Sequence, residues 1–144
     1  PAAEIFFESK AKDWLSITID SFLNKYSNPL SIADDEALKN VTNYIDDHYA
    51  TSISQDTLEK ISTMSGTKLK KLFKQKYQCT ITEYTQRRRM NMAELLLLNS
   101  TLKIQDIAEA VGYSSHSKFS TCFKKYKGFY PKDIKKYAKN NLSD

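Results

Sequence analysis

Two stretches decide the reading of this chain: Ile104-Gln105-Asp106-Ile107-Ala108-Glu109-Ala110-Val111-Gly112-Tyr113, and then Phe119-Ser120-Thr121-Cys122-Phe123-Lys124-Lys125. A short apolar helix, a glycine-containing turn and a second helix mixing aromatics with lysines form a helix-turn-helix pattern, whose second helix is shaped to enter a DNA groove. An earlier copy runs from Leu58-Glu59-Lys60-Ile61 through Met64-Ser65 into Thr67-Lys68-Leu69-Lys70-Lys71-Leu72-Phe73-Lys74. Matching Leu58 to Ile107 and Phe73 to Phe123 requires one extra residue in the second turn.

Composition narrows the class around this pair. The chain has 144 residues, with only three glycines and three prolines, too few for the many turns of a sandwich or barrel. An all-α fold is expected, with nine tyrosines and seven phenylalanines supplying most of the aromatic core. Residues 1–50 carry four lysines against nine acids, whereas residues 51–144 carry eighteen basic side chains against eight acids. A basic part joined to an acidic part suits a polyanion-binding module attached to something else, although a charge bias alone also fits solvated helix faces. No apolar run reaches the length of a membrane span and no signal peptide opens the chain, so a cytoplasmic protein is expected, nucleoid-associated when bound to DNA. Cys79 and Cys122 lack metal-ligand spacing and read as free thiols, Cys122 as a small core-facing residue. His48 and His116 are far apart, and no paired carboxylates, phosphate-cradling glycine loop or Cys/His cluster accompanies them. That leaves no constellation for catalysis, metal or cofactor binding.

Along the chain, Phe7, Ala11, Trp14, Leu15, Phe22 and Leu23 recur at helical spacing between about Glu4 and Tyr26, predicting an N-terminal amphipathic helix. Ser27-Asn28-Pro29-Leu30-Ser31 breaks it and is the expected linker between a segment 1–30 and a domain 31–144. A helix is expected from Asp34 or Asp35 to His48 with Leu38, Val41, Tyr44 and Ile45 inward, another over Gln55–Thr63, and the first recognition helix over Thr67–Tyr77, capped by Ser65. Thr80-Ile81-Thr82-Glu83 has capping-box spacing and opens a long helix through Asn99, with Ile81, Tyr84, Met90, Ala93, Leu96 and Leu97 apolar. At about 1.5 Å per residue that helix spans about 27 Å, comparable with the ~34 Å between successive major grooves on one DNA face. Further helices are expected over Ile104–Val111, Ser115 or His116 to Lys127, and Pro131–Lys139, with Gly128 left-handed after the second and Pro131 opening the third. Because the chain opens at Pro1 within a hydrophobic pattern, a fragment of a longer protein is expected.

The order Arg89-Met90, Ala93, Leu97, Ile104, Ile107-Ala108, Gly112-Tyr113, Phe119, Phe123, Gly128, Pro131 resembles the DNA-binding domain of the AraC/XylS family of bacterial transcription regulators, over roughly residues 35–138. The resemblance implies two helix-turn-helix lobes joined by a long linking helix, and a lobe-bridging role for Arg89. Four positions depart from the pattern. Glu59 replaces a small residue, so the first unit is expected to be the less regular; Gln78 replaces a helix-ending glycine; Tyr130 replaces a small hydroxyl cap; and Lys135 stands where arginine is usual.

With Phe119 and Phe123 inward, His116, Ser117, Ser120 and Thr121 are candidate base readers, since residues near a recognition helix start reach deepest into the groove. The plain alternative for His116 is an ordinary surface histidine, but its place at a groove-facing helix start favours base contact. On the first recognition helix, Thr67, Lys68 and Lys71 are candidate base readers. Lys74, Lys76, Arg87, Arg88, Lys124, Lys132 and Lys135 are the candidate phosphate contacts. The expected function is regulation of transcription by sequence-specific binding to a double-stranded DNA operator of about 20 base pairs, non-palindromic because the units are direct, unequal copies. RNA polymerase at promoters is an expected partner, and residues 1–28 are expected either to form a homodimer or to dock on a missing effector domain. The alternative is a non-specific or architectural nucleic-acid-binding protein.

Overall fold

The computed structural model describes residues 8, 10–20 and 29–141. Residues 10–20 are helical (α1) and exposed throughout, Trp14 and Leu15 included. Phe7, Phe22, Leu23, Ser27 and Asn28, invoked above for the first helix and its linker, lie outside the described residues. Seven helices follow: α2 (Ile32–His48), α3 (Gln55–Ser62), α4 (Gly66–Tyr77), α5 (Ile81–Asn99), α6 (Ile104–Ala110), α7 (His116–Lys127) and α8 (Pro131–Asn141). The described residues contain no strand, as the scarcity of glycine and proline predicts.

Local chemistry sets most of these bounds. Ser31 accepts from Asp34 N–H at 3.1 Å, which starts α2 two residues before the expected Asp34, and Asp34 and Asp35 then occupy the first turn near the positive end of the helix dipole. At the head of α5 the Thr80 hydroxyl accepts from Glu83 N–H at 3.1 Å while the Glu83 carboxylate accepts from Thr80 N–H at 2.8 Å, completing the capping box. α6 ends one residue early, at Ala110, and α8 runs two residues past Lys139 to Asn141.

Two hydrophobic cores divide the molecule into lobes. Leu38, Val41 and Ile45 of α2 meet Leu58, Met64, Leu69 and Phe73 in the first; Met90, Ala93 and Leu97 of α5 meet Ile107, Ala108, Val111, Phe119 and Phe123 in the second. The internal repeat therefore reaches one helix further back than the helix-turn-helix motifs. Leu38, Val41 and Ile45 stand 52 residues before Met90, Ala93 and Leu97, so the linking helix is also the opening helix of the second unit. Its own start stays with the first lobe, where Ile81 and Tyr84 pack. The Tyr84 hydroxyl donates to Asp46, and burial together with the Asp46 charge pushes its pKa up to about 12.

The lobes are tied at one junction. Arg89 Nε donates to the Tyr49 carbonyl at 2.6 Å and its guanidinium donates to the Thr51 carbonyl at 3.1 Å, while the same group lies over the Tyr113 ring. Gly112 has φ +92° and backs onto Ala50 so closely that a Cβ there would stand 2.5 Å from the Ala50 carbonyl oxygen. Thr63, at the matching place in the first turn, also has positive φ, 54°.

One expectation is corrected. Glu59 does not loosen the first unit: its half-buried side chain turns to accept from Gln55 Nε2 at 2.7 Å, in space left by Gly66, whose Cβ would stand 2.4 Å from it. Cys122 faces the second core as expected, half-buried against it, and its thiol donates to Gln86 Oε1 at 3.7 Å while the Tyr113 hydroxyl lies 3.2 Å from its sulfur.

Candidate nucleic-acid interface

The two recognition helices are built alike. α4 and α7 each have twelve residues, and each is capped by a serine, Ser65 or Ser115, accepting at 3.3 Å from the N–H of Lys68 or Lys118. Each ends in a left-handed residue, Gln78 (φ 57°) or Gly128 (φ 84°), whose N–H donates at 2.9 Å to the carbonyl of Lys74 or Lys124. Gln78 thus keeps the geometry of the glycine it replaces, at about 1 kcal/mol, and Nε2 of its side chain donates to Gln75 O at 2.8 Å. Leu69 and Phe73 anchor α4 as Phe119 and Phe123 anchor α7, so the opposite faces are turned outward.

Those outward faces hold most of the candidate base readers. Thr67 and Lys71 are exposed on α4; His116, Ser117 and Thr121 are exposed on α7, with Ser120 half-buried on its flank. Lys68 is different: it is turned toward α2, where its ammonium meets the Asp34 carboxylate at 3.0 Å.

The candidate phosphate contacts divide further. Lys74, Arg87 and Lys132 are exposed, Lys132 near the Tyr130 ring. Lys124 donates to Gly128 O at 2.8 Å and lies 5.1 Å from the centre of the same ring, so Tyr130 stands between two lysines where the resemblance placed a cap. Lys135 donates to Leu102 O, tying α8 to the loop before α6. Arg88 is half-buried over the Tyr49 ring, 3.5 Å from Asp46. Lys76 is bound inside the first lobe: Asp35 meets its ammonium at 2.8 Å, and although burial disfavours its charge, Asp35 and Tyr77 outweigh that and hold its pKa above that of an ordinary lysine. Asp35 answers with a pKa below the usual carboxylate value, through its hydrogen bonds to Lys76 and Lys39.

The sequence reading missed this wiring because the partners of Lys68 and Lys76 lie 34 and 41 residues away on another helix. It also missed Gln86, which with Tyr113 and Cys122 props α7 against α5. Its only sequence signal is its place 52 residues after Asp34. Among the described residues no His, Cys, Asp and Glu group could hold a metal, and no helix is long and apolar enough to cross a membrane.

Comparison with known proteins agrees with the architecture. A helix-turn-helix domain family matches residues 58–137. The Msm operon regulatory protein of Streptococcus mutans is 33% identical over 101 residues, 70% of this chain and 36% of that protein. The transcriptional activator RhaS of Escherichia coli is 32% identical over 92 residues, 64% of this chain and 33% of that protein. The chain thus spans about a third of the length of these relatives. The C-terminal domain of the two-component response regulator yesN from Fusobacterium nucleatum superposes with TM-score 0.63 at 31% identity, covering 69% of this chain and 98% of that one. The DNA-binding domain of AdpA, solved with a target DNA, shares the fold with TM-score 0.67 at 18% identity, over 72% of this chain and 94% of that one. With two capped recognition helices hung on one linking helix and these relatives beside it, the chain belongs to the AraC family of transcriptional regulators and carries that family's tandem helix-turn-helix DNA-binding domain.

Proposed function

We propose that this chain reads two successive major grooves of a non-palindromic operator of about 20 base pairs, as the DNA-binding part of an effector-responsive regulator. One observation carries the reading: two recognition helices of equal length, each with a serine N-cap and a left-handed C-cap, present polar outer faces from lobes joined by a single 19-residue helix, about 28 Å long. Thr67, Lys68 and Lys71 read bases from α4, and His116, Ser117, Ser120 and Thr121 from α7. Lys74, Arg87, Lys124 and Lys132 serve phosphates. Lys76 leaves that set because Asp35 holds its ammonium, and Arg88 and Lys135 contribute less because Asp46 and Leu102 engage them. Hydroxyls and an imidazole on the reading faces favour base discrimination over the charge-only contact of an architectural protein.

Regulation takes place in the cytoplasm, at promoters, with RNA polymerase as the downstream partner. Residues 1–30 are a separate segment that joins two copies or meets an effector domain. Selection of bound fragments from a random DNA pool, followed by footprinting, tests the core of this. Protection of two grooves on one face is expected; protection of one groove per chain, or no selected sequence, would overturn it.

A further inference from the structure

We propose that Asp34 is an intramolecular competitor of DNA for Lys68, which makes the first helix-turn-helix unit a conditional reader and leaves the second as the anchor. The inference rests on the reading that both recognition helices meet DNA. Its observation is an asymmetry between units that otherwise repeat each other. In the first unit, the flank of α4 is fastened to α2 by two ion pairs one above the other, Lys68 to Asp34 at 3.0 Å and Lys76 to Asp35 at 2.8 Å.

Core register identifies the matching positions in the second unit. The 52-residue offset of the opening helices puts Gln86 and Arg87 where Asp34 and Asp35 stand, and the 50-residue offset of the recognition helices puts Lys118 where Lys68 stands. No carboxylate pairs with Lys118 among the described residues. Gln86, neutral, turns instead to Tyr113 and Cys122, and Glu83, which lines the same cleft, is held by the Thr80 amide. A phosphate approaching Lys118 therefore displaces no anion. DNA approaching Lys68, the base reader proposed on α4, must displace Asp34, whose side chain is only 25% exposed and would be left without its cation. The favourable release of counterions that a free lysine brings to DNA binding is then largely withheld from Lys68. The second unit gains more from first contact, and the first engages once the duplex is already held.

The test is binding of the chain to a random-sequence duplex across a salt series, by fluorescence anisotropy, for four variants. Asp34→Asn keeps the shape and frees Lys68. Glu36→Gln removes one charge from the same exposed turn without freeing a lysine. Lys68→Ala and the double variant Asp34→Asn with Lys68→Ala complete a cycle. Asp34→Asn is expected to tighten binding by up to about fivefold, the worth of one exposed pair, and to steepen the plot of log K against log salt by about 0.9. Glu36→Gln should leave the slope as it is, and Asp34→Asn should change nothing once Lys68 is alanine. Equal gains from Asp34→Asn and Glu36→Gln, or a gain that survives in the Lys68→Ala background, overturn the proposal. If Lys68→Ala itself binds both random DNA and a selected operator like the unaltered chain, the reading on which the proposal rests fails, and the proposal with it.

Discussion

Replacing Gly112 by alanine separates two contributions that usually come together. Gly112 and Gly128 both have positive φ, 92° and 84°, so an alanine at either incurs the backbone penalty of about 1 kcal/mol. At Gly128 nothing lies within 4 Å of the added Cβ, and the penalty ends there. At Gly112 the Cβ would stand 2.5 Å from the Ala50 carbonyl oxygen, 3.0 Å from its carbon and 3.2 Å from its Cα, all main-chain atoms that no rotamer change can move. Forcing such a contact apart adds about 1–3 kcal/mol. The total is then about 2–4 kcal/mol at Gly112 against about 1 at Gly128. At about 4 °C per kcal/mol for a domain near this size, melting should fall by about 8–16 °C for Gly112→Ala and about 4 °C for Gly128→Ala. Thermal unfolding followed by circular dichroism measures both. Because the contact lies between lobes, Gly112→Ala should also shrink the footprint to one groove. Equal melting losses for the two variants would refute the reasoning, since the close approach of Gly112 to Ala50 would then carry no energy.

Base and phosphate contacts should fail differently: Thr121→Ala or His116→Ala should lose about 1–3 kcal/mol on a selected operator and little on random DNA, whereas Arg87→Ala should weaken both and lower the salt slope by about one. A uniform loss from His116→Ala would make it a backbone contact. Tyr84, held protonated to about pH 12 in the folded chain, has a raised folded pKa, so its contribution is full below about pH 10 and lost as pH rises from 10 toward 12. Tyr84→Phe should therefore flatten the fall in stability over that alkaline window, and an unchanged profile would show that Tyr84, buried beside Asp46, is not its source. In sedimentation the full chain should run heavier than a monomer and the chain lacking residues 1–28 as a monomer with its melting temperature kept; a monomer in both cases would remove the proposed self-association.

Elements and caps were legible because they depend on neighbours in sequence. Ser65, the Thr80–Glu83 box, Gly128 and Pro131 act within a turn of where they stand, and the helical period of Leu38, Val41 and Ile45 reports its own buried face. The outward faces of α4 and α7 followed from the same periodicity. What stayed hidden depends on pairs across the fold. Lys68 and Lys71 look alike in sequence and both are exposed, yet Lys68 is paired with Asp34 across the fold. Glu59 looked like a packing fault because the space that receives it is created by Gly66, seven residues on. Arg89 was assigned to the junction through resemblance, and its acceptors, the carbonyls of Tyr49 and Thr51, carry no side-chain signature at all.

Those carbonyls give the junction an unusual kind of permanence. The acceptors of Arg89 are main-chain atoms fixed by the backbone at 49–51, so in the proposed reading the pitch between α4 and α7 is encoded apart from the side chains that meet bases. A gauge of fixed pitch is a poor match to a flexible target: inserting one base pair between the half-sites rotates the second groove by about 34–36° about the duplex axis. The same tie that lets operator preference drift freely on α4 and α7 should make the chain a strict judge of half-site spacing, and a responder to local over- or underwinding of the DNA that separates them.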